Sequence, residues 1–215
     1  MNIQIHHHQG ESLNSEIGIL SDFRLRYFCE FPYLYIGTKE YEQDYLATYL
    51  SDPTTRLLIA RDQDANNEIV GVAIASMLSP ELKILCQSNE LSQLPELTTE
   101  QFFYFGEMIF VPEYRSKGIG KQLLEELKKA GREQGATRFC FFAVDRAYDD
   151  VRRPADYVDS DVFFQKFGFK KMAVSVSFEW ATIQADGRVE NVSNRLNLWV
   201  DKNNKRKPKH KNQIL

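Results

Sequence analysis

The spacing of apolar positions divides the chain into helical and extended stretches. After Ser15, Ile19, Phe23, Tyr27 and Phe31 recur every four residues, one stripe of a helix that Pro32 closes. Tyr41, Tyr45 and Tyr49 repeat that spacing over Lys39 to Leu50, with Pro53 as the stop. Arg56 to Arg61 and Glu68 to Leu78 read as strands joined by the polar run 62–67, a hairpin by composition. Ile3 and Ile5 alternate with polar residues in a short edge strand before them. Ser79 to Thr99 is polar and irregular, and Phe102 to Val111 predicts a long aromatic strand. Lys117 to Gln134 predicts a helix whose inner face is Ile119, Leu123, Leu124, Leu127 and Ala130, with Gly135 suited to its end. Phe139 to Val144 is apolar without a break, as expected of a strand buried on both faces. A short helix, Ser160 to Phe167 with Ser160 as its cap, precedes two antiparallel strands, Lys170 to Ala181 and Val192 to Val200, around the turn Asp186-Gly187. The sum is a mixed α/β domain with strands in both orientations, not a regular doubly wound repeat.

Composition narrows the class. The chain has 215 residues, 43% hydrophobic and 27% charged, enough for one domain with a substantial core. Its longest aliphatic stretch, Ile69 to Leu78, is about half the ~20 residues a membrane crossing needs, and no cationic-then-apolar leader opens the sequence. Cys29, Cys86 and Cys140 are odd in number and lack CxxC spacing, which argues against a disulfide framework and a zinc site. A cytoplasmic protein without a membrane partner is expected. Three consecutive histidines, His6 to His8, cannot all face one ion from a strand and read as surface, so no metal is expected.

The net charge of −3 is unevenly distributed. Residues 201–215 hold six lysines and arginines against one aspartate, an excess of five, so the rest of the chain carries eight negative charges in excess. The expected organisation is a single domain over 1–200 followed by a basic, disordered tail over 201–215. No nucleic-acid partner is expected, because no aromatic residue interleaves the basic ones.

Candidate chemistry lies in Val111-Pro112-Glu113-Tyr114-Arg115-Ser116-Lys117-Gly118-Ile119-Gly120-Lys121, between a strand and a helix. A strand entering a helix through two glycines leaves amide hydrogens unpaired at the positive end of the helix dipole. Glycine lets a ligand approach the backbone, which makes a diphosphate cradle, and Arg115, Lys117 and Lys121 add positive charge. A dinucleotide fingerprint would need a third glycine where Leu123 stands, and the GK[ST] of a P-loop is absent.

Arg115-Ser116-Lys117-Gly118-Ile119-Gly120, preceded by Pro112 and Tyr114, resembles the arginine-x-x-glycine-x-glycine signature of the GNAT acyltransferases. Phe167-Gly168-Phe169 is similar to that superfamily's second landmark. Phe31-Pro32-Tyr33-Leu34-Tyr35, Tyr41-Glu42, Tyr45 to Tyr49, Arg153-Pro154-Ala155-Asp156-Tyr157 and Leu198-Trp199 resemble a bacterial GNAT subgroup. The resemblance implies the GNAT acyl-CoA N-acyltransferase fold, with splayed central strands and helices on both faces. It implies acetyl-CoA as co-substrate, its pantetheine arm bonded to the backbone of Ile109, Phe110 and Val111, and its diphosphate held from Arg115 to Lys121. It also implies N-acetyltransferase activity, the acetyl group passing directly to a primary amine of a small molecule or peptide.

Glu107 is the candidate general base: it shares a pleat face with Phe103, Phe105 and Ile109, where loss of hydration suits a carboxylate to proton transfer. The resemblance places the general acid at Phe164, which has no proton to give, so Tyr157 is the candidate replacement. Tyr33 and Tyr35 fall where the superfamily builds its acceptor wall. Arg152 and Arg153 read as an ion-paired loop, and Cys140 as an inert buried thiol. The alternative reading is a non-catalytic CoA-binding sensor. A monomer and a homodimer paired through Leu196–Val200 are both consistent with the sequence.

Overall fold

The computed structural model describes residues 1–78 and 101–202. The expected irregular segment 79–99 and most of the basic tail lie outside the described residues.

Two helices, α1 (Glu11–Tyr27) and α2 (Lys39–Leu50), follow the edge strand β1 (Ile3–His8). Thr38 caps α2 by accepting a hydrogen bond from the Tyr41 amide, leaving its own residue extended. The hairpin β2 (Arg56–Asp62) and β3 (Glu68–Met77) turns through left-handed Asn66 and Asn67. Next come β4 (Phe102–Phe110), α3 (Ile119–Glu133), β5 (Arg138–Val144), the short α4 (Ser160–Lys166), and the long hairpin of β6 (Phe169–Ile183) and β7 (Val189–Asp201). The seven strands form one sheet in the order β1-β2-β3-β4-β5-β7-β6.

Helices cover both faces. Ile119, Leu123, Leu124 and Leu127 of α3 are buried against Phe103, Phe105, Phe139 and Trp199. On the opposite face, Leu13, Ile17, Leu20 and Tyr27 of α1 and Leu46 and Tyr49 of α2 pack on Leu57, Ile59, Val72 and Ile74. Each fully buried aliphatic side chain contributes about 1.5–3 kcal/mol, so both layers are held mainly by burial.

All neighbouring strands pair antiparallel except β4 and β5, which run parallel. That parallel pair holds for three residue pairs only, Phe102 with Arg138, Phe103 with Phe139 and Tyr104 with Cys140. Beyond Tyr104 the two strands part, and this splay positions the site.

Two expectations need correction. The buried stripe of α1 is Leu13, Ile17, Leu20, Phe23, Arg24 and Tyr27, and the helix ends at Tyr27, before Pro32. The N-cap of α4 is Asp159 rather than Ser160, and no side chain caps it; Asp159 is held by Arg153 instead. Strand β7 lies between β5 and β6, and Leu196–Val200 pairs on both sides within the chain as an internal hairpin.

Candidate active site

A bulge in β4 decides what faces the site. Ile74 of β3 pairs with Glu107 and Ala75 with Phe105, which leaves Gly106 as an extra residue. An extra residue moves every later side chain to the other face. Phe103 and Phe105 therefore face α3, while Glu107 and Ile109 face α1 and α2, in place of the single pleat face expected for all four. Only glycine fits the bulge, because a Cβ there would lie 2.1 Å from the Tyr49 hydroxyl.

Glu107 is buried within a charged network. Arg24 Nη1 donates to Glu107 Oε1 at 2.5 Å, and Arg24 Nε donates to Glu42 Oε2 at 2.6 Å. The Tyr45 hydroxyl also donates to Glu107 Oε1, the Tyr49 hydroxyl reaches Oε2 at 3.4 Å, and the Tyr35 hydroxyl donates to Glu42 Oε1 at 2.8 Å. One guanidinium between two carboxylates leaves the cluster one negative charge in excess. Burial works against the charge on Arg24, but the carboxylates of Glu107 and Glu42 outweigh it and keep the guanidinium protonated. Burial, reinforced by Glu107, pushes the Tyr45 and Tyr49 hydroxyls well above their ordinary value, so they remain donors. Glu107 Oε1 is doubly engaged, whereas among the described residues Oε2 has only the long Tyr49 contact.

This network forms one wall of a cavity of about 810 Å³ between α1, α2, β4 and the β6–β7 hairpin. Tyr33 and Tyr35 both line it. Tyr33 stacks on Phe28 with ring centres 4.1 Å apart, and burial pushes its hydroxyl up to about 12. The loop carrying them is sewn to the edge of β6: Ile36 N–H donates to Ala181 O, and Ile183 N–H to Leu34 O. Arg146 clamps it from the other side by donating to the carbonyls of Pro32 and Tyr33.

The glycine turn lies at the far end of β4. Ser116 and Gly118 have positive φ, and a Cβ on Gly118 would meet nothing within 4 Å, so the backbone is open there. Ile119, Gly120 and Lys121 occupy the first turn of α3, where no intrahelical acceptor exists, and no backbone acceptor takes their amides among the described residues. Of the expected cations, Arg115 pairs with Glu30 at 2.7 Å and also donates to Phe110 O, Lys117 lies over the Tyr114 ring, and Lys121 stands 3.9 Å from Glu125. On the strand itself, Val111 N–H donates to Val70 O. By the two-residue alternation Ile109 also faces β3, so Phe110 is the member of the expected trio whose backbone faces the splay.

Tyr157 stands apart from Glu107. It meets the Phe31 ring edge-on at 4.8 Å, lies under the Arg153 guanidinium, and lines a smaller cavity of about 160 Å³. Burial raises its hydroxyl above the ordinary value, which keeps it protonated near neutrality. Phe164 packs on Phe141 and Trp199 in the core. Arg152 and Arg153 are paired with Asp150 and Asp159. No cluster of metal-ligating side chains is found among the described residues, and no helix there is long and apolar enough to cross a membrane.

Sequence reasoning gives Arg24 no role, and it places Glu42, Tyr45 and Tyr49 only in motifs and in a helical stripe, not around Glu107. A signal was present: Arg24 continues the Leu13, Ile17, Leu20 spacing, and Glu42 stands three and four residues before Tyr45 and Leu46. Opposite charges on the inner faces of successive helices require each other as partners.

Parallel strands that part beside an open glycine turn are the features expected from the resemblance to the acyl-CoA N-acyltransferase fold. The chain belongs to the Acetyltransferase (GNAT) family, whose sequence profile matches residues 21–153. It is an acyltransferase, and its co-substrate is acetyl-CoA. Among solved structures, a polyamine N-acetyltransferase of Drosophila melanogaster superposes with a TM-score of 0.60 at 14% identity, covering 93% of this chain and 99% of that one. An IAA acetyltransferase from Bacillus cereus gives 0.53 at 13% identity over 93% and 99%. A GNAT family acetyltransferase from Elizabethkingia anophelis with acetyl-CoA bound gives 0.52 at 16% identity over 94% and 98%. At these identities the likeness is one of fold. No curated protein matches the sequence.

Proposed function

We propose that the protein acetylates a primary amine by direct transfer from acetyl-CoA, with Glu107 as the general base. One observation carries this reading: the bulge at Gly106 turns Glu107, the buried carboxylate of β4, into the large cavity, three residues before the strand edge at Phe110 that faces the splay. Acetyl-CoA supplies the acetyl group as an activated thioester. The open backbone of Gly118 and the unpaired amides of Ile119, Gly120 and Lys121 suit its diphosphate, with Ser116 and Lys117 in the same turn, and Phe110 suits its pantetheine amides.

Glu107 takes the proton of the incoming ammonium through Oε2, freeing the nitrogen lone pair to form the new C–N bond. Tyr45 and Arg24 fix the carboxylate from the opposite side. As the C–S bond breaks, Tyr157 gives its phenolic proton to the sulfur and the nitrogen of the new amide sheds its second proton to solvent; solvent then reprotonates Tyr157 and takes the proton held by Glu107. Tyr33 and Tyr35 wall the acceptor. The products are the acetylated amine and the free thiol of CoA.

The same reading assigns one domain to residues 1–200, a tail without a catalytic part to 201–215, a cytoplasmic setting, and membership of the subgroup marked by Phe31 to Tyr35 and Arg153 to Tyr157. The test is thiol release from acetyl-CoA over a panel of primary amines. Glu107→Gln is expected to lower kcat by about 10²–10⁴-fold while CoA binding persists. An unchanged rate and pH profile would remove Glu107 as base, and full turnover by Tyr157→Phe would remove Tyr157 as acid.

A further inference from the structure

The extra residue at Gly106 brings Tyr104 and Glu107 to one side of the sheet. Side chains three positions apart on a regular strand point to opposite faces, and the bulge reverses the second of them. Phe103 and Phe105 accordingly pack under α3, while Tyr104 and Glu107 both line the large cavity. Tyr104 belongs to the last pair that joins β4 to β5, opposite Cys140, so it stands where the splay closes. Its ring lies beside that of Phe142 on β5, with centres 6.3 Å apart.

Six tyrosines line the cavity, and their hydroxyls are not equally engaged. Tyr35, Tyr45 and Tyr49 direct theirs to the carboxylates of Glu42 and Glu107. Among the described residues, the hydroxyls of Tyr33, Tyr41 and Tyr104 have no hydrogen-bond partner. Tyr41 is exposed on α2, and Tyr33 belongs to the loop that stacks on Phe28. Tyr104 is the one of the three carried by β4. Burial, reinforced by Tyr49 and Glu107, raises its hydroxyl well above the ordinary value, so it donates without losing its proton.

The order of parts along β4 gives this donor a task. Phe110 lies next to the glycine turn, Glu107 comes before it, and Tyr104 stands at the closed end of the splay. A ligand with its diphosphate at the turn and its amides at Phe110 carries its thioester toward Glu107 and Tyr104. When the amine nitrogen attacks, the carbonyl π pair moves onto oxygen. That negative charge forms beside a network already one negative charge in excess, where a neutral, preorganised donor stabilises it.

We propose that Tyr104 donates a hydrogen bond to the thioester carbonyl oxygen and holds it as it becomes an oxyanion. This rests on the acetyltransferase reading above and adds a catalytic residue to it. Tyr104 keeps its proton throughout, and the electron pair returns from oxygen to carbon as the C–S bond breaks.

The experiment compares the native chain with Tyr104→Phe, which keeps the ring and removes only the hydroxyl. Acetyl-CoA labelled isotopically at the carbonyl carbon is bound without amine, and its carbonyl stretch is read by infrared difference spectroscopy. The native protein is expected to lower the frequency relative to free acetyl-CoA, and Tyr104→Phe to lose that shift. With an amine acceptor, kcat for Tyr104→Phe is expected to fall by about 10²–10³-fold while CoA affinity is unchanged. An unshifted carbonyl in the native protein overturns the assignment without recourse to a variant. A shift or a kcat that Tyr104→Phe leaves intact overturns it too. Should no amine release thiol from the native chain, a shift lost in Tyr104→Phe sustains the contact and removes acetyl transfer; a shift retained overturns the contact as well.

Discussion

The guanidinium of Arg24 meets the carboxylate of Glu107 at 2.5 Å, joining the first helix to the middle of the sheet across a sequence separation of 83 residues. The contact fixes the proposed base from behind and leaves its second oxygen toward the cavity. Its energetic weight follows from burial: side chains of both partners are nearly inaccessible, and Glu42 on the other side of Arg24 is fully buried.

Removing the cation strands two buried carboxylates. Arg24→Met is expected to destabilise the protein by about 3–5 kcal/mol, read as a shift in the urea midpoint. Adding Glu42→Gln to Arg24→Met should recover part of that loss. If the double variant is no more stable than the single one, the charge argument fails.

Gly106 and Tyr49 should behave as a coupled pair. Gly106→Ala places a methyl 2.1 Å from the Tyr49 hydroxyl, and such overpacking costs about 1–3 kcal/mol. In a Tyr49→Ala background the obstructing ring is gone, so the same substitution should cost clearly less. Strictly additive costs would mean that the bulge does not depend on this contact.

The secondary elements were legible in the sequence because their physics is local. The inner face of α3, the bounds of α2 and the β2–β3 hairpin follow from spacing and residue type alone. The orientation of Glu107 was not legible: strand alternation places it with Phe103 and Phe105, and one extra residue at Gly106 reverses it. The residue at the bulge is constrained by a tyrosine 57 positions earlier in the chain, a long-range contact that no window of β4 contains. The Arg24–Glu42 pair was readable in principle, since each residue keeps the period of its buried helix face.

Stability should fall on mild acidification. Burial, the largest effect on His8, holds its imidazole below the ordinary value of 6.5, and its Nδ1 has no hydrogen-bond partner. The unfolded chain therefore binds the proton more readily than the native one. The contribution of His8 is fully present above about pH 6.5 and is lost as pH falls from there through its native value. His8→Leu is expected to flatten the dependence of the urea midpoint on pH across that window; an unchanged slope would assign it to other groups.

Glu30 pairs with Arg115, one of the cations expected at the glycine turn. Both side chains are well exposed, so the pair is weak and salt-sensitive. Glu30→Gln is expected to tighten CoA about two- to fivefold at low ionic strength, the gain shrinking as salt is added. Unchanged affinity at low salt would show that Arg115 does not meet the diphosphate.

The central claim is that amides at the entry to α3 grip the diphosphate of acetyl-CoA, so that its thioester reaches Glu107 through the splay. Calorimetric titration of CoA into the native protein and into Gly118→Glu tests it most directly, with thermal unfolding confirming that both are folded. The account predicts one-to-one binding to the native chain and a loss of about a hundredfold or more in the variant, whose carboxylate would occupy the cradle. Equal affinity in the two folded proteins would contradict it.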